Sequence, residues 1–208
     1  MKTKAALLVV AILLLVVAPI NSNSVRITMN TTENLKEAFK GETTASAKYA
    51  EYAKKAKKEG YAKIALLFEA ASKAEKIHAN NHKAVLEQLG VTVDKITPKY
   101  TVKSTKENLE DAITGEGYES TTMYPGFIQT ANADNSTLAL ISFNYAYKTE
   151  LKHLKLYKNA LDQLNAGKEK TLASKYFVCP TCGNTFEGDA PARCGLCITA
   201  KDKFIAVK

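Results

Sequence analysis

Four stretches of the chain space their apolar residues three and four positions apart, the repeat of one helix face. The first carries Leu35, Ala38, Glu42, Ala45, Tyr49, Tyr52 and Ala56; the second carries Ile64, Phe68, Ala71, Glu75, His78, His82, Val85 and Leu89. The third runs through Leu109, Ala112, Glu116, Glu119, Met123 and Phe127, and the fourth through Ala139, Phe143, Ala146, Glu150, His153, Tyr157, Ala160 and Leu164. Each frame predicts an amphipathic helix whose inward stripe contains ionisable residues. Asn30 with Glu33, and Ser104 with Glu107, have the spacing of a capping box, while Gly60, Gly90 and Gly167 stand where helices should end.

The connections predict how these helices assemble. Short turns join the first helix to the second and the third to the fourth, whereas VTVDKITPKYTVK, between Gly90 and Ser104, is long enough to cross a bundle lengthwise and contains Pro98. Two helical hairpins joined by one long crossover is the ferritin-like topology of a four-helix bundle. The hairpins also form a degenerate repeat. KGETTAS at 40–46 aligns with TGEGYES at 114–120, which matches Glu42 to Glu116 and sets Glu119 where the first copy has Ala45. Each copy then supplies a Glu three residues before a His, Glu75 with His78 and Glu150 with His153.

Residues three apart share a helix face, so each Glu/His pair can present an oxygen and a nitrogen to one ion. Glu42 precedes Gly60 by as many residues as His78 follows it, and Glu116 with His153, like Glu119 with Glu150, is symmetric about the other turn. All four helices therefore bring their polar core residues to one level, roughly 22–28 Å from the turns. Five buried carboxylates would repel one another or take up protons unless cations sit among them. No Lys falls in the inward frames, which leaves metal ions as the partner. Five carboxylates and two imidazoles are too many for one ion and enough for two, the ligand set of di-iron or di-manganese carboxylate bundles with one Glu to spare. Surface Glu and His on mis-phased helices would not explain why two of only three histidines have this spacing. His82, one turn beyond His78 and outside the repeat, reads as a residue behind the site or at the surface rather than as a third imidazole ligand.

CPTCG at 179–183 and CGLC at 194–197 form two CxxC knuckles, so Cys179, Cys182, Cys194 and Cys197 can hold one tetrahedral ion. A module of about 35 residues buries too little apolar area to fold unaided, so its folding should be coupled to the metal. Two disulfides are the competing reading in an exported protein. Zinc would make the module a structural ribbon and iron a one-electron carrier; the spacing alone does not choose.

Of 208 residues, 46% are hydrophobic and 24% charged, which excludes disorder as the main state. The net charge of +8 comes from lysines interspersed with glutamates rather than gathered with aromatics, so no nucleic-acid partner is expected. Lys2 and Lys4 precede an apolar run at 5–18, and small residues follow at Ser22 and Ser24. Residues 1–24 read as a signal peptide or an uncleaved N-terminal anchor, implying an exported, extracytoplasmic protein.

The runs GETTASAKY, EKIH, GEGYESTTMYPGF, ELKH and YFVCPTCGNTFEGDAPARCGLC, followed by KDKF, occur in this order, and through them the chain resembles rubrerythrin over residues 30–208. The resemblance implies a mainly α protein, with a ferritin-like di-iron domain over 30–168 and a small rubredoxin-like metal-knuckle β module over 174–208. It implies two non-haem irons in the bundle, one iron (or zinc) on the four cysteines, and reduction of hydrogen peroxide to water. Electrons would enter through the Cys iron from an electron-donor protein or reductase, and the protein would be a homodimer. Position by position, the resemblance puts the first iron on Glu42 and Glu75 and the second on Glu116, Glu150 and His153, with some carboxylates bridging. Glu119 and His78 become the first iron's alternating ligands in the oxidised and reduced states, and hence the catalytic pair; Tyr49 and Tyr124 become donors beside the irons. The chain departs from the family pattern in its export segment, in lacking Trp ahead of Cys179, and in having Gly195 where Pro is usual. A different class of function, an iron-oxidising or iron-sequestering ferritin-like protein with a structural zinc ribbon, uses the same dinuclear set. The rubredoxin-type surroundings of the cysteines favour the peroxidase.

Metal analysis of the intact protein is expected to find three ions per chain, and Cys182→Ser should lose the one on the cysteines while the helical domain keeps its pair. Retention of all three ions in that variant would refute the tetrathiolate site.

Overall fold

Each helix forms because its apolar stripe has other stripes to cover it. The structure is a computed structural model that describes residues 22–208, with side chains from Thr31 onward; the apolar run at 5–18, and the export signal read from it, lies outside the described residues. Helices α1 (Ser22–Lys58) and α2 (Ala62–Gln88) make the first hairpin. The second consists of α3 (Thr105–Tyr118), a π-helical turn (Glu119–Met123), α4 (Tyr124–Ala133) and α5 (Thr137–Asn165). Between them, residues 91–104 cross the bundle without helix or strand, giving the ferritin-like arrangement. The hydroxyl of Tyr52 lies 3.2 Å from the carbonyl oxygen of Thr101 and 2.9 Å from Asp111 Oδ2, tying this crossover to α1 and α3. Among the described residues, no helix is long and apolar enough to cross a membrane.

Two apolar clusters fill the bundle. One gathers Tyr49, Tyr52, Phe68, Leu109 and Tyr157, the other Leu35, Leu86, Met123, Tyr124 and Phe143. Along every helix the buried glutamates and histidines fall between these clusters, so the polar layer is sealed from both ends. Gly60, Gly90 and Gly167 end their helices with φ of +88°, +75° and +66°, and Ser104 with Glu107 closes a complete capping box.

Two expectations from periodicity are corrected. Asn30 does not cap α1, which is already helical from Ser22; no Gly or Pro between 22 and 30 stops the helix from extending past the box. The third frame is not one continuous α-helix. Pro125 has no N–H to offer the carbonyl of Thr121, and just ahead of it the backbone takes a π turn in which the Tyr124 amide bonds back to Glu119.

After α5, β1 (Tyr176–Val178), β2 (Thr185–Glu187) and β3 (Ile205–Val207) form an antiparallel sheet in the order β2-β1-β3. Tyr176 and Val178 point inward and, with Val207, join the apolar cluster of the bundle, so this small sheet shares the core of the helices. Behind the second knuckle Ile198 adopts φ +65°, a conformation unfavourable for a β-branched residue.

At the start of α3, the amide and hydroxyl of Thr105 both donate to Glu59 Oε2, at 2.8 and 2.6 Å. The hydroxyl bond, acting against some loss of hydration, helps hold the Glu59 carboxyl down at about 2. A lowered pKa contributes stability above the ordinary carboxylate range that is lost as pH falls from about 4.5 to about 2. Because this carboxylate is partly exposed, Glu59→Ala should cost only about 1 kcal/mol at neutral pH. In urea denaturation the gap between wild type and variant should close near pH 2; a constant gap would contradict the assignment.

Candidate metal centres

Glu75 and His78 share one face of α2, and Glu150 and His153 share one face of α5. The antiparallel packing turns these faces toward each other, with Glu42 arriving from α1 and Glu116 from α3. All six side chains are at most 1% exposed. They gather into two groups of potential ligands, Glu42, Glu75, His78 and Glu150, and Glu75, Glu116, Glu150 and His153. Glu75 sends Oε2 to within 2.9 Å of His78 Nδ1 and Oε1 to within 3.1 Å of His153 Nδ1. Glu150 does the converse, with Oε1 at 3.0 Å from His78 Nδ1 and Oε2 at 3.1 Å from His153 Nδ1. These two carboxylates therefore span both groups, and Glu42 and Glu116 each close one.

The outer nitrogens fix the ring states. His78 Nε2 lies 3.2 Å from the carbonyl oxygen of Cys182, to which only an N–H can donate. His153 Nε2 lies 2.9 Å from Thr185 Oγ1, whose own proton goes to the carbonyl of Gly183. With metal bound, both imidazoles then carry hydrogen on Nε2 and direct a bare Nδ1 into the carboxylate layer. Both Nδ1 atoms, both oxygens of Glu75 and of Glu150, and Oε2 of Glu42 and Glu116 are buried without a hydrogen-bond partner. Buried acceptors aimed at one another fit two cations and little else. These are the residues that would hold a pair of metal ions in the bundle.

Without metal the layer would hold protons. Burial, and then the charge of Glu150, pushes Glu42 up to about 8. Burial with the charges of Glu75 and Glu150 holds Glu116 well above the usual carboxylate range. Glu75 is the exception: burial opposes ionisation there, but the imidazoles of His153 and His78, charged when no metal is bound, pull it down to about 2. His153 loses hydration on burial, yet the charges of the neighbouring Glu75 and Glu150 carboxylates raise it to about 9.

The four cysteines converge as a second centre and are free thiols. Cys179 and Cys197 Sγ are 3.4 Å apart and Cys182 and Cys194 Sγ 3.5 Å, far beyond a disulfide bond and close to the roughly 3.8 Å edges of a tetrahedral thiolate site. This is the four-cysteine metal site of the small sheet domain. It is seated against the bundle's own layer, because Cys182 and Gly183 of the first knuckle and Thr185 at the start of β2 face His78 and His153. Gly183, at φ +75°, leaves the needed space: a Cβ there would lie 2.2 Å from His78 Nε2.

Glu119 is not in either group of potential ligands. It opens the π turn, half-buried, and loss of hydration with the charges of Glu42 and Glu150 holds its carboxyl well above the usual range. Tyr49 donates to Glu116 Oε1 at 2.8 Å, and Tyr124 donates to Glu42 Oε1. His82, fully buried, hydrogen-bonds the Tyr124 hydroxyl at 3.1 Å and Ser142 Oγ at 2.8 Å. Periodicity could not find Ser142 or the contacts of the knuckle with the two histidines; only the Gly directly after Cys182 signals that something approaches closely there.

The family model described as Rubrerythrin matches residues 33–161. Nigerythrin of Nitratidesulfovibrio vulgaris is 36% identical over 178 residues, 85% of this chain and 86% of that protein. Rubrerythrin-2 of Clostridium acetobutylicum is 33% identical over 178 residues, 85% of this chain and 96% of its own length. Among solved structures, nigerythrin in its fully reduced, all-ferrous state superposes with a TM-score of 0.76 at 35% identity, over 85% of this chain and 86% of that one. A bacterioferritin of Rhodobacter capsulatus shares the fold, at a TM-score of 0.61 and 19% identity over 78% and 98% of the two chains.

Since Glu42 holds a proton near neutral pH when metal is absent, binding must displace it. Titrating zinc or ferrous iron into metal-free protein should release protons, and affinity should strengthen as pH rises through about 8. Calorimetry in buffers of different ionisation enthalpy measures both, and an affinity flat across that range would contradict the assignment.

Proposed function

The chain belongs to the rubrerythrin family, and on that premise we propose that it is a non-haem di-iron peroxidase that reduces hydrogen peroxide to water, with electrons relayed through an iron on the four cysteines. The reaction consumes one peroxide, two electrons and two protons and yields two waters; the electrons come from an external donor protein or reductase. An iron pair held by Glu42, Glu75, His78, Glu116, Glu150 and His153 would supply the two electrons that cleavage of the O–O bond requires. The protein's share is geometric and electrostatic. The apolar clusters keep water away, Tyr49 and Tyr124 fix the orientation of Glu116 and Glu42, and the knuckle's contacts to His78 and His153 hold both Nδ1 atoms inward.

The observation that most supports this reading is the hydrogen bond between His78 Nε2 and the carbonyl of Cys182. One residue is thus both a thiolate of the four-cysteine site and the direct partner of an imidazole of the di-iron site, the contact a relay needs and a storage protein does not. Within the same proposal, His78 and Glu119 are alternating ligands of the first iron: His78 sits in the first group, and Glu119 waits on the π turn beside Glu42. The apolar run at 5–18 supports export, and the family resemblance a homodimer. Neither is needed to complete the site, since all its groups come from one chain.

Rapid mixing of fully reduced protein with peroxide should oxidise the bundle irons first and then bring up the visible colour of the ferric Cys site. Gly183→Ala should retain all three metals yet slow that second phase by at least roughly tenfold, because the added methyl drives the knuckle from His78. No optical change at the cysteines, together with catalytic uptake of ferrous iron, would replace the peroxidase reading by iron storage.

A further inference from the structure

The two halves of the layer are not alike behind their tyrosines. Tyr49 and Tyr124 occupy matching places: Tyr49 follows Glu42 by seven residues and Tyr124 follows Glu116 by eight, the extra residue being taken up by the π turn. His82 follows His78 by four residues as Tyr157 follows His153, and Leu67 precedes Glu75 by eight as Ser142 precedes Glu150. Behind Tyr49 the mates are Tyr157, whose hydroxyl is buried without a partner, and Leu67, 1% exposed. That side ends in aromatic and aliphatic packing, with the rings of Tyr49 and Tyr157 5.5 Å apart.

Behind Tyr124 the same positions hold His82 and Ser142, which continue as hydrogen bonds to the surface. The proton of the Tyr124 hydroxyl goes to Glu42 Oε1, so its oxygen accepts from His82 Nε2. His82 Nδ1 is then an acceptor, filled by the hydroxyl of Ser142 at 2.8 Å. Every donor in the series points inward. Ser142, 4% exposed, is at the floor of an open groove of about 180 Å³ lined by Asn81, Ile141 and Tyr145. Three linked buried polar groups bring no packing advantage over the apolar filling that serves the other half, so the fold itself does not call for them.

We infer that Ser142, His82 and Tyr124 form a proton entry path from this groove to Glu42, which supplies protons for the peroxide reduction proposed above and rests on that reading. In one passage the Tyr124 O–H bond breaks as a Glu42 O–H bond forms, the Nε2 proton of His82 moves to the Tyr124 oxygen, and the Ser142 proton moves to Nδ1. A groove water reprotonates Ser142. One proton enters and one arrives, and Ser142, His82 and Tyr124 all end neutral; hydroxyl rotation and tautomer exchange at His82 restore the chain between turnovers. Burial, and then the charge of His78, holds His82 down at about 3, which keeps it neutral as the path requires. His82 and Ser142 act through Tyr124 and touch no reacting atom.

The test has one readout independent of turnover. In full-length protein loaded with zinc, exchange of the His82 Nε2 proton with water is measured by NMR, the signal being assigned by its loss in His82→Gln. Ser142→Ala should slow this exchange by at least roughly tenfold, and Ser142→Thr, which keeps the hydroxyl, should restore it. In the reduced iron protein, Ser142→Ala should slow oxidation by peroxide by a similar factor and enlarge its solvent deuterium isotope effect, again with recovery in Ser142→Thr. Unchanged exchange in Ser142→Ala overturns the path whatever the iron protein does with peroxide, as does slowed exchange with an unchanged peroxide rate. A wild-type iron protein inert to peroxide overturns the peroxidase reading instead, and the exchange measurement alone then decides the path.

Discussion

Everything in this molecule is arranged around acceptors that face one another in the middle of four helices with nothing but cations to satisfy them. An uncompensated buried carboxylate costs several kcal/mol, so a layer containing Glu42, Glu75, Glu116 and Glu150 is tenable only with metal or with protons. The apolar clusters on either side supply the burial that makes the layer dry, and dryness in turn makes its electrostatics strong. Glu75 and Glu150, each touching both histidines, make the two metal positions one unit.

The same constraint reaches the small sheet domain. An imidazole that offers Nδ1 to a metal needs its Nε2 hydrogen bonded, and the partners come from the first knuckle and the strand after it, the carbonyl of Cys182 and the hydroxyl of Thr185. Seating the knuckle so close demands a residue without a side chain at Gly183, and the sheet completes the fit by placing Tyr176, Val178 and Val207 in the bundle's core. Two metal centres of different chemistry thereby share one rigid contact.

Departures from internal symmetry are where the two halves acquire different work. The π turn adds one residue to the second copy, carries Glu119 beside the layer, and still lets Tyr124 reach Glu42 as Tyr49 reaches Glu116. On the Tyr49 side the structure closes in aromatic packing; on the Tyr124 side polar groups lead out past His82 to Ser142.

The helical faces, the polar level and the cysteine knuckles are legible in the chain alone, because each follows from local spacing. The frames of α1 and α2 bury from Leu35 to Ala56 and from Ile64 to Val85 as the periodicity predicts, and only Leu89, just past the end of α2, is exposed. Glu75 with His78, Glu150 with His153, and the two CxxC pairs meet as their spacing requires. The remainder depends on how distant parts of the fold meet. Whether the Tyr124 amide bonds four or five residues back depends on Pro125 and on where packing needs the Tyr124 hydroxyl, which no periodicity records. The cap at Asn30 was overridden by continuation of the helix, since a capping box states that a helix can begin there, not that it must. The role of His82 and the docking of Cys182 on His78 depend on groups 60 and 104 residues away in sequence, and a repeat of three and four says which face a side chain occupies, never which distant partner will meet it there.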